Sequence, residues 1–364
     1  LVIDDTGFPK DGTASPCVAR QYSGTLGKVA NCQIGVSVHL AGEHASCAAD
    51  WRLFCPESWD DAALADPVAA ARARQRRGRA GIPDQVRHTA KWRLALEMIE
   101  EMTGPGGWGV LEEITAAGGA RPLVTADAGY GDSTAFRLEL DTRGWQFAVA
   151  VKGTTSAYPG DARPVTPAPR GGPGRPPGPA YPAPPANLRQ LAIAHADTIQ
   201  QVTWRQGTRA TNGNPDAAMT SWFVAIRVRP ANRDIPRADD GSLPDCWLLA
   251  EWPPDADEPT GYWLSNLPAD TPIAKLVRLA KLRWRVEHDY RELKTGLGLG
   301  HFEGRSFTGW HRHVTLAVLA QAFCTMLRAD PKDDMHRPVG VVSGWAGRAG
   351  ARAGETSPAQ TRHD

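Results

Sequence analysis

Net charge is nearly absent from this chain: 364 residues carry 41 Lys and Arg against 40 Asp and Glu, a formal +1. No global excess of positive charge advertises a polyanionic partner, so any such contact has to come from local clusters. Paired cysteines are missing too. Cys17, Cys32, Cys47, Cys55, Cys246 and Cys324 lie far apart with no Cys-x-x-Cys, which argues against a zinc finger and reads as reduced thiols. Cys47, Cys55 and His44 match no usual finger spacing. No apolar run is long enough to cross a bilayer and no signal peptide is recognisable, which predicts a cytoplasmic protein without membrane contact. The chain opens without Met, directly on a strand-like run, and is therefore expected to lack an upstream region.

What is present is a set of acids in telling places. Leu1-Val2-Ile3-Asp4-Asp5-Thr6 is an apolar run ending in paired carboxylates, followed by turn-forming residues from Gly7 to Gly12. Pro122 to Asp132 repeats the pattern: apolar residues run into Asp127, then Gly129 and Gly131, with Asp132 or Ser133 placed to cap a following helix. Ligands of α/β sheets gather at the carboxyl ends of strands, so Asp5 and Asp127 are expected on one rim. The third acid is Glu287, within a helical pattern from Arg283 to Lys294. At about 100° per residue, Arg283, Glu287 and Arg291 are neighbours, and Lys294 lies two turns beyond Glu287 and nearly in line with it. Leu279, Leu282, Val286, Tyr290 and Leu293 form the apolar face, with Glu287 at its border.

A salt-bridged amphipathic helix accounts for that pattern by itself. Two Asp and one Glu converging without a cation would repel one another, however, and a metal resolves this; oxygen-only ligands favour magnesium or manganese over zinc. Arg72, Arg74, Arg76, Arg77 and Arg79, continued by Arg87, Lys91 and Arg93, form one basic run. Arg278, Lys281, Arg283, Arg285, Arg291 and Lys294 form another, whose placement around Glu287 favours phosphate contact over a merely solvated face. His311 and His313 open an amphipathic helix and are expected to meet solvent or backbone rather than metal.

Strands are expected over residues 31–40 and 46–54, in an antiparallel meander with the first, and helices over 60–77 and 84–102, the latter capped by Asp84. The Asp127 strand, a helix from about 133 to 140 and a strand over 145–151 follow. Residues 154–187, dominated by Pro, Gly and Arg, read as a flexible or polyproline-like excursion. Strands resume over 221–229, 246–252 and 262–266. Trp204, Trp222 and Trp263 either fill the core or stack on an unpaired base.

The three acidic segments resemble the triad of bacterial insertion-sequence transposases with a ribonuclease-H-like catalytic core, and most of all the insertion-sequence 701 group. In that superfamily the helix carrying the Glu reads Tyr, two residues, Arg, three residues, Glu, six residues, Lys. Arg283, Glu287 and Lys294 fit, while Ala280 stands at the Tyr position. The phrases Ile3 to Lys10, Val18 to Tyr22, Ala126 to Gly131 and His301 to Ser306 share the likeness, which spans roughly residues 1 to 325.

The resemblance implies an α/β fold: a ribonuclease-H-like mixed sheet flanked by helices, with a β-rich insertion before the Glu287 helix. Residues 1–153 would be the first part of the core, 154–269 a Pro/Gly-rich linker and insertion, 270–330 the C-terminal core helices and 331–364 a disordered tail. Asp5, Asp127 and Glu287 would be catalytic and hold two Mg2+ or Mn2+ ions, with Arg283, Arg291 and Lys294 on DNA. Asp5 is preferred over Asp4 because it matches the family phrase and because strand alternation points the two side chains to opposite faces. Double-stranded DNA, both element ends and target, would be the substrate of a homodimeric, nucleoid-associated enzyme that frees a 3′-hydroxyl and joins it to target DNA. The missing upstream region would be helical and help to recognise the ends. A metal-dependent nuclease that never joins strands, and an inactive relic that only binds DNA, are the two other readings.

Overall fold

A computed structural model describes residues 1–167, 178–207, 211, 214–215 and 217–329. The first part of the chain forms β1 (Val2–Pro9), β2 (Ala19–Ser23), β3 (Lys28–Ala41), β4 (Ser46–Leu53), α1 (Pro67–Ala80), α2 (Lys91–Thr103) and α3 (Val110–Ala116). Then come β5 (Val124–Ala126), α4 (Ala128–Gly131), α5 (Thr134–Thr142), β6 (Phe147–Val151), β7 (Ser156–Pro159), β8 (Ala186–Asn187) and α6 (Leu188–Ile193). The remainder comprises β9 (Gln200–Gln206), β10 (Ala218–Pro230), β11 (Cys246–Glu251), β12 (Gly261–Ser265), α7 (Ile273–Lys281), α8 (Trp284–Arg291) and α9 (Phe307–Ala329). The fold is mixed α/β, with open sheet flanked by helices, and the chain divides into two compact units.

The first unit is Leu1–Val2 with Pro122–Trp284. Leu1 joins β5, its carbonyl accepting the Thr125 N–H at 2.9 Å. β5 pairs parallel with β6, and antiparallel pairings then run from β6 through β12 and β11 to β10, with β9 and β7 on β10 and β8 on β7. Val224, Val228, Leu248 and Leu264 pack with Leu188 in one apolar cluster. Phe223 and Leu249 pack with Leu276 and Val277 of α7 in another.

The second unit is Ile3–Arg121 with the residues from Arg285 on. β2 pairs with β3, β3 pairs with β4, and β1 lies beside β3. α2 lies on β3 and β4, and α9 on β4. β3 is buried from Cys32 to His39, polar residues included, and Phe8 lies against Trp51 and Trp310 at centroid distances of 6.5 and 6.2 Å.

Several boundaries differ from the sequence expectation for identifiable reasons. α1 starts at Pro67 rather than residue 60, because Asp66 caps it through Val68 N and Ala69 N while Asp60 instead accepts from His88 N at 2.9 Å. α2 starts at Lys91 rather than Asp84. The buried Arg77 guanidinium donates to Pro83 O at 2.9 Å and Val86 O at 2.7 Å, and so holds that stretch as a turn. Within 154–187, expected to hold no regular structure, Ser156–Pro159 adds to β10; its one proline closes the strand, where a missing N–H costs least. Ser133 does cap α5, accepting from Phe136 N at 3.3 Å. The expected tail, 331–364, lies outside the described residues.

Candidate active site

β1 is buried along most of its length, with Asp5 the one half-buried residue before its end. Asp4 is buried, and its Oδ1 accepts the Asp5 N–H at 2.8 Å. Asp5 is half-buried, and its Oδ2 meets the Nζ of Lys91, the first residue of α2, at 3.0 Å. Two residues farther on, Gly7 admits the buried Ser23: a Cβ there would stand 2.3 Å from Ser23 Oγ.

The Glu287 segment belongs to the same unit as Asp5. α8 continues into a π-helical turn over Glu292–Gly296. From that turn Lys294 Nζ donates to Thr6 Oγ1 at 2.6 Å, to Gly7 O at 2.9 Å and to Thr25 Oγ1 at 3.2 Å. Burial pushes this ammonium down to about 8. A residue 288 positions away in sequence thus rests on the strand that carries Asp5, at the residue that follows it.

α8 is anchored by polar groups as well. Val286, Tyr290 and Leu293 are buried as the apolar stripe requires, but so are Arg285 and Asp289. Asp289 Oδ2 meets His39 Nδ1 at 2.9 Å, and its Oδ1 accepts from Ser46 Oγ at 2.7 Å. Ser37 Oγ bonds both His39 Nε2, at 2.9 Å, and the Tyr290 hydroxyl, at 2.7 Å. The Arg285 guanidinium donates to the Glu43 carbonyl. With that face committed, Glu287 and His288 are exposed; Glu287 stands in solvent rather than at the edge of the apolar stripe. Sequence reasoning missed Ser37, His39 and Asp289, because hydropathy treats an Asp and a His as outward-facing unless a buried partner is known.

Asp127 belongs to the first unit. It follows the buried strand β5 and begins α4, its carbonyl accepting from Tyr130 N at 3.1 Å and Gly131 N at 2.8 Å. The glycines have a steric role. A Cβ at Gly131 would lie 1.9 Å from Ala150 O, so only glycine lets α4 lie this close to β6. A Cβ at Gly129 would crowd Asp127 Oδ1 at 3.1 Å.

The predicted cations divide. Arg283 is half-buried before α8 and Arg291 is exposed at its end. Lys281 binds Glu251 Oε2 at 2.5 Å amid Trp204, Phe223 and Trp263, whose rings lie 4.8, 5.9 and 5.6 Å from Nζ. Trp204 and Trp263 therefore enclose a lysine and pack against an apolar cluster, in line with the core reading. In the other basic run, Arg77 is buried on backbone carbonyls and Arg76 lies 4.4 Å over Trp59. His311 Nδ1 and His313 Nε2 donate to the Phe307 and Gly298 carbonyls, at 3.0 Å each, as expected. All six cysteines are free thiols.

Asp5, Asp127 and Glu287 offer carboxylate oxygens alone, and that donor set fits a hard divalent ion. Among the described residues no three His, Cys, Asp or Glu side chains stand together as a metal-binding group, the trio of His44, Cys47 and Cys55 included. Lys91 takes up one oxygen of Asp5, so an ion there would displace or share that ammonium.

A family model, DDE superfamily endonuclease, matches residues 1–211, well over half of the chain. The chain belongs to the DDE superfamily endonucleases. The match takes in Asp5 and Asp127 and ends before Glu287. No curated protein matches the chain. As a DDE endonuclease it is an enzyme of the nuclease or transposase type, with DNA as substrate and divalent-metal chemistry typical of its family. No helix among the described residues is long and apolar enough to cross a membrane.

Proposed function

We propose that this DDE endonuclease is an insertion-sequence transposase of the 701 group with a ribonuclease-H-like core, acting as a homodimer on double-stranded DNA. Asp5, Asp127 and Glu287 would hold two Mg2+ or Mn2+ ions, and the bound metal would polarise the scissile phosphate and activate a water for its hydrolysis. The observation that carries this reading is the seat of Lys294 on Thr6 and Gly7, which ties the Glu287 segment to the Asp5 strand in the signature order Arg283, Glu287, Lys294. Lys91 meets the Asp5 carboxylate at 3.0 Å and offsets part of its charge. Arg283 and Arg291 would hold phosphates beside the cut, and Lys294 would keep the two acidic segments in register. The 3′-hydroxyl freed by cleavage would then attack target DNA.

Duplex oligonucleotides carrying the inverted repeats that flank the reading frame supply the test, in Mg2+ or Mn2+. Glu287→Gln is expected to lower cleavage at least about a thousandfold while retaining most DNA binding, since loss of a metal ligand removes chemistry rather than phosphate contact. Wild-type cleavage by that variant would remove Glu287 from the site. Pre-cleaved ends are expected to be joined to a plasmid target; cutting without joining would instead identify a simple nuclease.

A further inference from the structure

The geometry points to the β2–β3 hairpin as a seat for an unpaired DNA strand next to the cleavage site, with Tyr22 as the stacking platform; this rests on the transposase reading above. Tyr22 and Val29 are paired across the two strands, so their side chains share a face, and they are 62% and 56% exposed. Leu26 in the connecting turn is 40% exposed. Three large apolar side chains in solvent on one short hairpin form a patch rather than scattered exposure. From Val18 to Asn31 the only charged residues are Arg20 and Lys28, both exposed, with no acid among them. Arg20 stands two residues from Tyr22 on the same strand face. An aromatic ring with an aliphatic neighbour and flanking cations suits a nucleobase and its phosphates, because stacking tolerates any base and the charge favours the backbone.

The hairpin is also held in place. Ser23 is fully buried against Gly7, and Thr25 Oγ1 lies 3.2 Å from both Thr6 Oγ1 and Lys294 Nζ. The turn is thus pinned to Thr6 and Gly7, the residues that directly follow Asp5, so an unpaired strand on Tyr22 would lie on an element anchored to the strand that carries that carboxylate. Opening of the duplex at the cut would supply such a strand.

The test compares a forked duplex, with unpaired tails and 2-aminopurine at the junction, with a fully paired duplex of the same sequence, in Ca2+ to hold cleavage back. The full chain is expected to bind the fork about tenfold more tightly and to quench the 2-aminopurine. Tyr22→Ala is expected to lose both the preference and the quenching with paired-duplex affinity unchanged, and Tyr22→Phe to keep them. Equal binding of the two DNAs by the wild type, or an unaltered fork preference in Tyr22→Ala, would overturn the proposal. So would a Tyr22→Ala change confined to sedimentation, which would assign the patch to a second copy of the chain. Metal-dependent cleavage and its loss in Glu287→Gln are scored separately, so failure of the hairpin role leaves the transposase reading standing, and failure of cleavage is seen on its own.

Discussion

Lys294 is a cation with a narrow working range. Its desolvated ammonium titrates at about 8 instead of 10.5, so it is charged at neutral pH and loses its proton as pH rises through about 8. Burial disfavours the charged form, so between these two values the unfolded chain binds more protons than the folded one. The contribution of this group to stability therefore rises with pH across that window. An NMR titration of lysine ε-carbons is expected to show one resonance with a midpoint near 8 that disappears in Lys294→Arg; a midpoint near 10.5 would place the amine in solvent. Glu287 differs in kind, since it is exposed.

At the level of elements, α8 is held by polar groups of β3 and β4, with Ser37, His39 and Asp289 buried. Removing one member leaves the others desolvated and short of a partner. His39→Ala is expected to cost about 3 kcal/mol in urea unfolding, and the double variant with Asp289→Ala less than the sum of the two singles. Additive losses would mean that the His39–Asp289 contact contributes nothing of its own. The same element shows what could be foreseen. Strands β1, β3, β4, β6, β10, β11 and β12 were legible because apolar runs between turn residues have few other uses. The start of α2 was not, since Asp84 has the right chemistry for a cap but Arg77, distant in sequence, holds the following carbonyls. β5 does end just before Asp127, but β1 does not end at its acids: Asp4 and Asp5 lie mid-strand, because Gly7 to Pro9, expected to turn, continue β1. The inward turn of Asp289 could not be foreseen, because its partners His39 and Ser46 lie some 250 residues upstream. The short β2 was also missed: Ala19–Ser23 is polar and mostly outward, with the pattern of a solvated loop.

Across the whole molecule, the chain divides into two compact units, and the first of them carries two apolar clusters, one around Val224 and Leu248 and one around Phe223 and Leu249. Unfolding by urea is expected to be non-coincident when followed by tryptophan fluorescence and by the exchange of amides in β3 and β10; one shared transition would show that the units melt together. The near balance of charge overall also takes on meaning here, since Arg77, Lys281, Arg285 and Lys294 are all engaged internally, leaving residues such as Arg20, Lys28 and Arg291 to meet a polyanion. The seat of Lys294 on Thr6 has one more consequence, in the order of synthesis. Thr6 leaves the ribosome 288 residues before its partner, an interval of ~15–60 s at ordinary elongation rates. Throughout that time β1 is without the cation that seats on Thr6 and Gly7, so this part of the unit can close only after residue 294 has emerged.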